Sequence, residues 1–301
     1  MSVALMAGQR SRHRVRRRVL RACLHAFLIF TALLFAFPLL YAFYCSLRPY
    51  GEIVANPTGF FSLPATLNLD NYTYVWDNAG LIGFYWNTMV VAIPAVLLTL
   101  WISSMVAFAV SRFSWRFNLV VLMIFTAGNL LPTQVIIIPL YKLYNLLPLP
   151  APLSDNGLVY DQFFGTILIH VVFQTGFCVF VFSNYMKTLS KELIEAAMMD
   201  GAGVFTIYYK IMLPLIRPAV AALATLEFVF IYNDFFWALF LFKSGDKRPI
   251  TAALNNLSGQ FFTDPTRLAA VAFMAAIPPV ILYIVLQRQF IRGLTLGSAK
   301  G

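Results

Sequence analysis

The chain has 301 residues, of which 60% are hydrophobic and 11% are charged, and its mean hydropathy is +0.76. Soluble globular domains have about 25% charged residues, so this composition excludes them and indicates a protein whose surface faces lipid. The formal net charge of +10 does not indicate nucleic acid, because seven basic residues form one run at positions 10–21, directly before an apolar segment, which is typical of contact with anionic membrane lipid.

The first predicted element is a membrane helix over residues 24–46, preceded by a basic cytoplasmic tail at residues 1–23. The segment contains no Lys, Arg, Asp or Glu in its 23 residues. At about 1.5 Å per residue it spans roughly 34 Å, which is enough to cross the hydrocarbon of a bilayer. It is also longer than the apolar part of a typical secretory signal, so a retained first membrane helix is predicted rather than a cleaved leader.

Five further apolar segments follow along the chain. They lie at residues 86–110, 119–140, 166–186, 220–242 and 268–286. Their continuous apolarity, without alternation at every second residue, favours helices over a transmembrane barrel. The predicted fold class is therefore all-α, a polytopic membrane protein with about six transmembrane helices in one membrane domain at residues 24–290, followed by a cytoplasmic tail at residues 291–301.

The distribution of basic residues predicts the orientation. With the N-terminus inside the cell, the cytoplasmic segments contain 16 Lys and Arg residues and the external segments contain six. Cytoplasmic loops of membrane proteins have the excess of Lys and Arg. The sequence therefore predicts a multi-pass protein of the cell membrane with both termini in the cytoplasm.

The cytoplasmic loop at residues 187–218 is predicted to have a structure of its own. Ser190 is suited to cap a helix N-terminus, and Glu192 lies in the first turn, where the helix dipole favours an acid. The helix is expected to end near Asp200, because Gly201 can adopt the left-handed conformation without a Cβ clash.

A second amphipathic stretch is predicted at residues 204–212, before Pro214 and Pro218 interrupt the chain at the entrance to the fifth membrane segment. The loop is thus expected to be two short helices joined at a glycine turn. Such a pair either docks in a groove of a partner protein or lies passively among the lipid headgroups, and the chemistry of the loop alone favours neither.

The same loop resembles the EAA signature of bacterial ABC importer permeases at every position of that motif. The predicted coupling residues are Glu195, Ala196, Ala197, Asp200, Gly201, Ile211, Leu213 and Pro214. Three further segments resemble the carbohydrate branch of this family, specifically its maltose-type six-helix subunit. They are IIIPLYKLYNLL at 136–147, YNDFFWAL at 232–239 and QRQFIRGLTLGSAKG at 287–301. The chain departs from that branch at Tyr232, where Trp is usual, at Asp234, where Glu is common, and in its Arg-rich N-terminus.

The resemblance implies a division of labour among subunits. A second related permease subunit would complete the pore, two copies of a cytoplasmic ATPase would drive it, and an extracytoplasmic solute-binding protein would deliver a sugar or sugar-like solute. The first loop helix would dock on the ATPase, with Glu195 in polar contact and Gly201 setting the angle between the helices. The chain has no GxxxxGK[ST] phosphate loop, so it is not expected to be an enzyme or to bind a cofactor, and ATP belongs to the partner subunits.

Several polar residues lie inside the predicted membrane segments. They are Asn129, Gln134, His170, Gln174, Glu227, Asn233 and Asp234. A carboxylate at the bilayer centre costs about 2.5 to 3.5 kcal/mol, so these residues should face protein or water, and hydrogen bonds between helices explain most of them. His170 is interpreted as a packing residue rather than a metal ligand, and the unpaired spacing of Cys23, Cys45 and Cys178 indicates neither a disulfide nor a metal site.

A sugar pathway requires hydroxyl partners beside aromatic rings. The candidate pathway residues are Asn233, Asp234, Trp237 and Gln174, the first three at helical spacing. Three alternatives stay open: an ABC permease for another solute, such as glycerol phosphate or polyamines, an ion-coupled secondary transporter that uses Glu227 and Asp234, and a membrane enzyme. The six predicted segments contain no Lys or Arg for a phosphorylated solute, and no compact set of catalytic residues is evident.

Overall fold

The computed structural model describes residues 2–56, 66–78, 80–128, 131–252, 254 and 264–295, with side chains between residues 17 and 287. The helices are α1 Ser2–Ser46, α2 Tyr50–Ala55, α3 Asp70–Asn78, α4 Leu81–Arg112, α5 Asn118–Gly128, α6 Thr133–Tyr144, α7 Phe163–Lys187, α8 Glu192–Met199, α9 Val204–Thr206, α10 Leu213–Leu215, α11 Arg217–Tyr232, α12 Phe236–Leu241 and α13 Pro265–Thr295. These residues contain no β-strand, only an isolated bridge between Pro148 and Leu158. The predicted all-α fold is confirmed.

Four helices, α1, α4, α7 and α13, are long and apolar enough to cross a membrane. Two bent pairs, α5 with α6 and the segment Val204–Leu215 with α11, raise the number of candidate spans to six. The predicted segments at 24–46, 86–110, 166–186 and 268–286 each lie within one of these four helices. These four predictions are confirmed. No break separates the basic tail from the first span, because α1 already begins at Ser2.

The prediction of one uninterrupted helix over residues 119–140 is wrong. The segment is divided between α5 and α6, whose axes differ by 93°. Pro132 stands directly before α6 in an extended conformation, with φ −61° and ψ 128°. Proline has no N–H to donate and disfavours a helical conformation in the residue before it, so a continuous helix cannot pass this position without cost. The predicted interior residue Asn129 lies outside the described residues.

The prediction of a continuous helix over residues 220–242 is also wrong. Helix α11 ends at Tyr232, and α12 begins only at Phe236. Between them, the carboxylate of Asp234 accepts hydrogen bonds from the backbone N–H groups of Trp237 at 3.3 Å and Ala238 at 3.1 Å. A short acidic side chain that binds the first N–H groups of a following helix stabilises a new helix start in place of continuation.

One compact unit comprises residues 1–73 and 263–273. Within it, Asn71 fixes the end of α1, since its side-chain amide donates to the carbonyl oxygens of Ser46 at 2.8 Å and Arg48 at 3.1 Å. The rings of Phe43 and Phe273 lie 4.7 Å apart and connect α1 to the beginning of α13.

The second compact unit comprises residues 74–262 and 274–301, and in it α4 packs along α7 and against α11. Small side chains at Ala92, Ala95, Ser103 and Cys178 are fully buried at this contact. Small residues let helix backbones approach closely, which is how helices associate where lipid removes the hydrophobic driving force. Helices α4 and α7 therefore form the centre of this unit.

Candidate functional site

The first loop helix, α8, presents two different faces. The predicted hydrogen bond of Ser190 to the first turn is present, since its hydroxyl oxygen accepts from the backbone N–H of Glu192 at 3.2 Å, but the N-cap residue itself is Lys191, whose side chain makes no capping bond. Ile194 and Ala197 are buried against the helix core, whereas Glu195 and Ala196 are exposed. The acid of the motif is therefore free to contact a molecule outside this chain.

The turn after α8 has the predicted left-handed geometry. Gly201 has φ +80°, and its N–H donates to the carbonyl of Met198 at 3.0 Å. The N–H of Ala202 closes the turn on the carbonyl of Ala197 at 2.9 Å. Asp200 stands at the helix end and is exposed. A Cβ at Gly201 would meet nothing within 4 Å, so only backbone strain opposes a side chain at this position.

The second half of the loop was predicted in position but not in type. Residues Ile207–Met212 form a π-helix between α9 and α10. Ile207, Tyr208 and Met212 are its buried residues, and Ile216 is buried one turn further on. A spacing of four residues between apolar side chains is equally typical of an α-helix, so the sequence contained no signal for the π-helix. Of the remaining motif residues, Ile211, Leu213 and Pro214 are half-buried beside this face.

The outer surface of the loop is apolar. Met199 is 88% exposed and Phe205 is 71% exposed, and Leu193 and Val204 are each about half exposed. Large apolar side chains in such a position favour burial in a partner or in the membrane interface. Together with Glu195 they form a surface of large apolar side chains beside the exposed acids Glu192 and Asp200, which we call the loop surface.

The candidate pathway residues occupy three different environments. Asn233 is exposed and its side-chain amide donates to the carbonyl of Val229 at 2.8 Å, while Gln174 on α7 is half-buried. Trp237 is only 4% exposed and packs against Phe173, with ring centroids 5.4 Å apart. The predicted helical spacing does not bring these residues onto one face, because Asn233 and Asp234 lie in the break between α11 and α12.

Asp234 also lies close to the histidine singled out in the sequence. The Nε2 atom of His170 is 3.7 Å from the Oδ2 atom of Asp234, and both side chains are largely buried. The hydroxyl of Thr251 donates to the backbone carbonyl of Asp234. His170 is thus placed as a polar packing residue, and among the described residues no group of three or more His, Cys, Asp or Glu side chains could hold a metal ion.

Glu227 lies between helices α11 and α7 and is fully buried. Its Oε1 atom accepts a hydrogen bond from the Sγ atom of Cys178 at 3.2 Å. The interhelical contact expected for an intramembrane carboxylate is therefore present, and it explains the burial of Cys178. Gln134 lies in α6, next to the helix start, and is exposed.

A polar network between residues 155–161 and 243–247 was not predicted. Asp161 has φ +63°, and its carboxylate accepts hydrogen bonds from the N–H groups of Lys243 at 2.8 Å and Ser244 at 3.0 Å. Lys247 donates to Asp155 at 2.6 Å, and this hydrogen bond holds the pKa of Asp155 below its ordinary value. The network joins two loops that are distant in sequence, so local pattern did not reveal it.

Comparison with known proteins finds one matching family and relatives that cover most of the chain. The family model for binding-protein-dependent transport system inner membrane components matches residues 100–295. The arabinooligosaccharides transport system permease protein AraQ of Halalkalibacterium halodurans is 35% identical over 280 residues, covering 90% of this chain and 94% of that relative. The melibiose/raffinose/stachyose import permease protein MelC of Bacillus subtilis is 30% identical, covering 79% of this chain and 83% of that relative.

A solved structure has the same architecture. It is the crystal structure of a bacterial ABC transporter involved in the import of the acidic polysaccharide alginate. One of its chains aligns with a TM-score of 0.75 and 25% identity, over 91% of this chain and 97% of that chain.

Proposed function

The chain belongs to the family of binding-protein-dependent transport system inner membrane components, and from this premise we propose that it forms the translocation path of an ABC importer for a sugar or sugar-like solute. The relatives named for arabinooligosaccharides and for melibiose, raffinose and stachyose support a carbohydrate solute. The observation that carries the proposal is the loop at residues 187–218, where the family motif coincides with an exposed acid, a left-handed glycine and an apolar loop surface.

The proposed complex divides the work among several chains. The family name implies a binding protein that delivers the solute from outside the cell. A second related permease would complete the pore, and two copies of an ATPase would supply the energy. This chain lacks the glycine-rich phosphate loop that cradles ATP, so its own part is to form the path and to receive movement from the ATPase. We place it in the cell membrane with both termini in the cytoplasm.

The loop surface is the proposed contact with the ATPase. Met199 and Phe205 offer large apolar side chains that gain stability by burial, at about 25 cal/mol for each Å² of apolar surface removed from water. Glu195 adds a polar contact that fixes orientation. Because Ile194 and Ala197 bind the opposite face of α8 to the helix core, a displacement of α8 is passed to that core as a rigid-body movement.

The break between α11 and α12 is the proposed solute contact. Asn233 and Gln174 are accessible and offer amide donors and acceptors to sugar hydroxyl groups. Asp234 holds the break in place through its hydrogen bonds to the start of α12. Trp237, buried beneath it, is proposed to position this segment rather than to stack on the sugar.

Uptake of a labelled oligosaccharide into vesicles tests this function. The chain is expressed with its second permease, ATPase and binding protein, and uptake is measured with ATP, without ATP, and after an ionophore has removed the ion gradients. We expect uptake that requires ATP and persists with the ionophore. Uptake that is lost with the ion gradient and indifferent to ATP would identify an ion-coupled transporter and refute the proposal.

A further inference from the structure

The cytoplasmic end of α4 is attached to the point where the loop at 187–218 begins. The guanidinium of Arg112 donates to the carbonyl oxygen of Leu189 at 3.2 Å through both terminal nitrogens, and also to the carbonyl oxygen of Met186. These carbonyls lie at the C-terminal end of α7, where the helix dipole favours a cation. The planar fork of arginine holds two acceptors in fixed directions, which lysine cannot do.

The second half of the loop is attached to the same helix. Tyr208, in the π-helix, is 2% exposed, and its hydroxyl lies 2.7 Å from the hydroxyl of Ser104 on α4. Its ring is also 5.4 Å from the ring of Phe108, one turn further along α4. The beginning and the second half of the loop are therefore both bound to α4, so a movement of the loop must displace α4 or break these contacts.

The opposite end of α4 is bound to an external segment. The side-chain amide of Asn87 donates to the backbone carbonyls of Asp246 at 2.6 Å and Arg248 at 3.2 Å. The hydroxyl oxygen of Thr88 accepts a hydrogen bond from the backbone N–H of Ile250 at 2.9 Å. Since this segment is also joined to Asp161 and Asp155, residues 243–250 and 155–161 form one surface, which we call the external platform.

We propose that α4 transmits movement between the loop at 187–218 and the external platform, and that Arg112 and Asn87 are the positioning residues at its two ends. From Thr88 to Arg112 the helix spans roughly 36 Å at about 1.5 Å per residue, which is the thickness of the hydrocarbon core and its margins. The inference rests on the proposed function. To that function it adds a structural path, helix α4, that connects a binding protein on the external platform with the ATPase.

Single and double variants test this path in the assembled transporter. The measured quantity is the ratio of ATP turnover with solute-loaded binding protein to basal turnover. We expect Arg112→Met and Asn87→Ala each to lower this ratio by about five- to tenfold, the size of effect that follows from losing one or two buried hydrogen bonds. Arg116→Met, which removes an exposed arginine four residues further on, and Asn78→Ala, which removes a local contact to Tyr74, should leave it unchanged.

The double variant distinguishes transmission from two local structural roles. If α4 is one path, cutting it at both ends should lower the ratio no further than the more severe single variant. Multiplied losses in the double variant, or wild-type ratios in both single variants, would overturn the inference. Arg112→Lys serves if Arg112→Met fails to assemble, because it preserves the charge and should still lower the ratio. A wild-type complex without ATP-dependent uptake would instead refute the proposed function, and this inference with it.

Discussion

Replacement of Gly201 by valine should separate ATP hydrolysis from uptake. Gly201 has φ +80°, a conformation that a β-branched residue adopts only with strain of about 1 to 3 kcal/mol. A Cβ there would meet nothing within 4 Å, so the substitution introduces no steric clash to confuse the result. The strain is relieved when the backbone rotates, and that rotation changes the direction of α8 relative to the π-helix.

Gly203 provides a matched control two residues away. It has φ −69° and ψ 158°, and a Cβ there also meets nothing within 4 Å, so Gly203→Val should be tolerated. Gly201→Asn should be intermediate, because asparagine enters the left-handed region more readily than valine. The difference between the two valine variants is therefore the cost of the backbone conformation alone.

The assay compares three quantities for each variant in vesicles: co-purification of the ATPase, ATP turnover and solute uptake. For Gly201→Val we expect membrane insertion as in the wild type, with uptake for each ATP hydrolysed reduced about fivefold or more, as a strain above 1 kcal/mol implies. If Gly201→Val and Gly203→Val give the same uptake as the wild type, the turn does not set the direction of α8 and the reasoning fails.

Three further predictions concern the external loops and the break before α12. Gly165→Ala should destabilise the chain by about 1 to 3 kcal/mol in detergent unfolding, because its Cβ would lie 2.7 Å from a backbone carbonyl, whereas Gly83→Ala, in open space, should not. The hydrogen bond from Lys247 lowers the pKa of Asp155 in the folded state below its ordinary value of 3.8. The contact therefore stabilises the fold at pH values above 3.8, and this stabilisation is lost as the pH falls through the lower folded-state pKa. We expect hydrogen exchange in the external platform to become faster as the pH contribution of this contact is lost, and Lys247→Met should abolish that acid-dependent difference. Asp234→Asn should alter uptake rate or sugar preference with assembly intact, and unchanged uptake of every tested sugar would argue against the pathway assignment.

Hydropathy predicted the spans that consist of one helix, because a helix crossing lipid must be apolar over its whole length. It could not predict the break at residues 233–235, since that break depends on the hydrogen bonds that the Asp234 carboxylate accepts from N–H groups of the next helix, and not on polarity alone. The turn at Gly201 was predictable because its cause is local: a capped helix followed by the one residue without a Cβ.

The long-range hydrogen bonds could not be predicted from local sequence pattern. Asn87 and Asp246 are 159 positions apart in the chain, and Arg112 and Met186 are 74 apart. The sequence pattern indicated Arg112 only as a cytoplasmic charge and did not single out Asn87. Their contacts depend on how α4 packs beside α7, which is a property of the folded unit.

The break between α11 and α12 gives a physical reason to place the solute there. Non-helical backbone leaves N–H and carbonyl groups unpaired, and at membrane depth this is tolerated only where protein or water covers them. Here part of the covering is internal, since Asp234 binds the N–H groups of α12 and Thr251 donates to the carbonyl of residue 234. Asn233, however, is exposed within a predicted membrane segment, and an exposed amide in lipid would be costly. In the proposed complex, a water-filled path shared with a second permease would remove that cost, and a sugar in that path would find in Asn233 the kind of donor and acceptor its hydroxyl groups require.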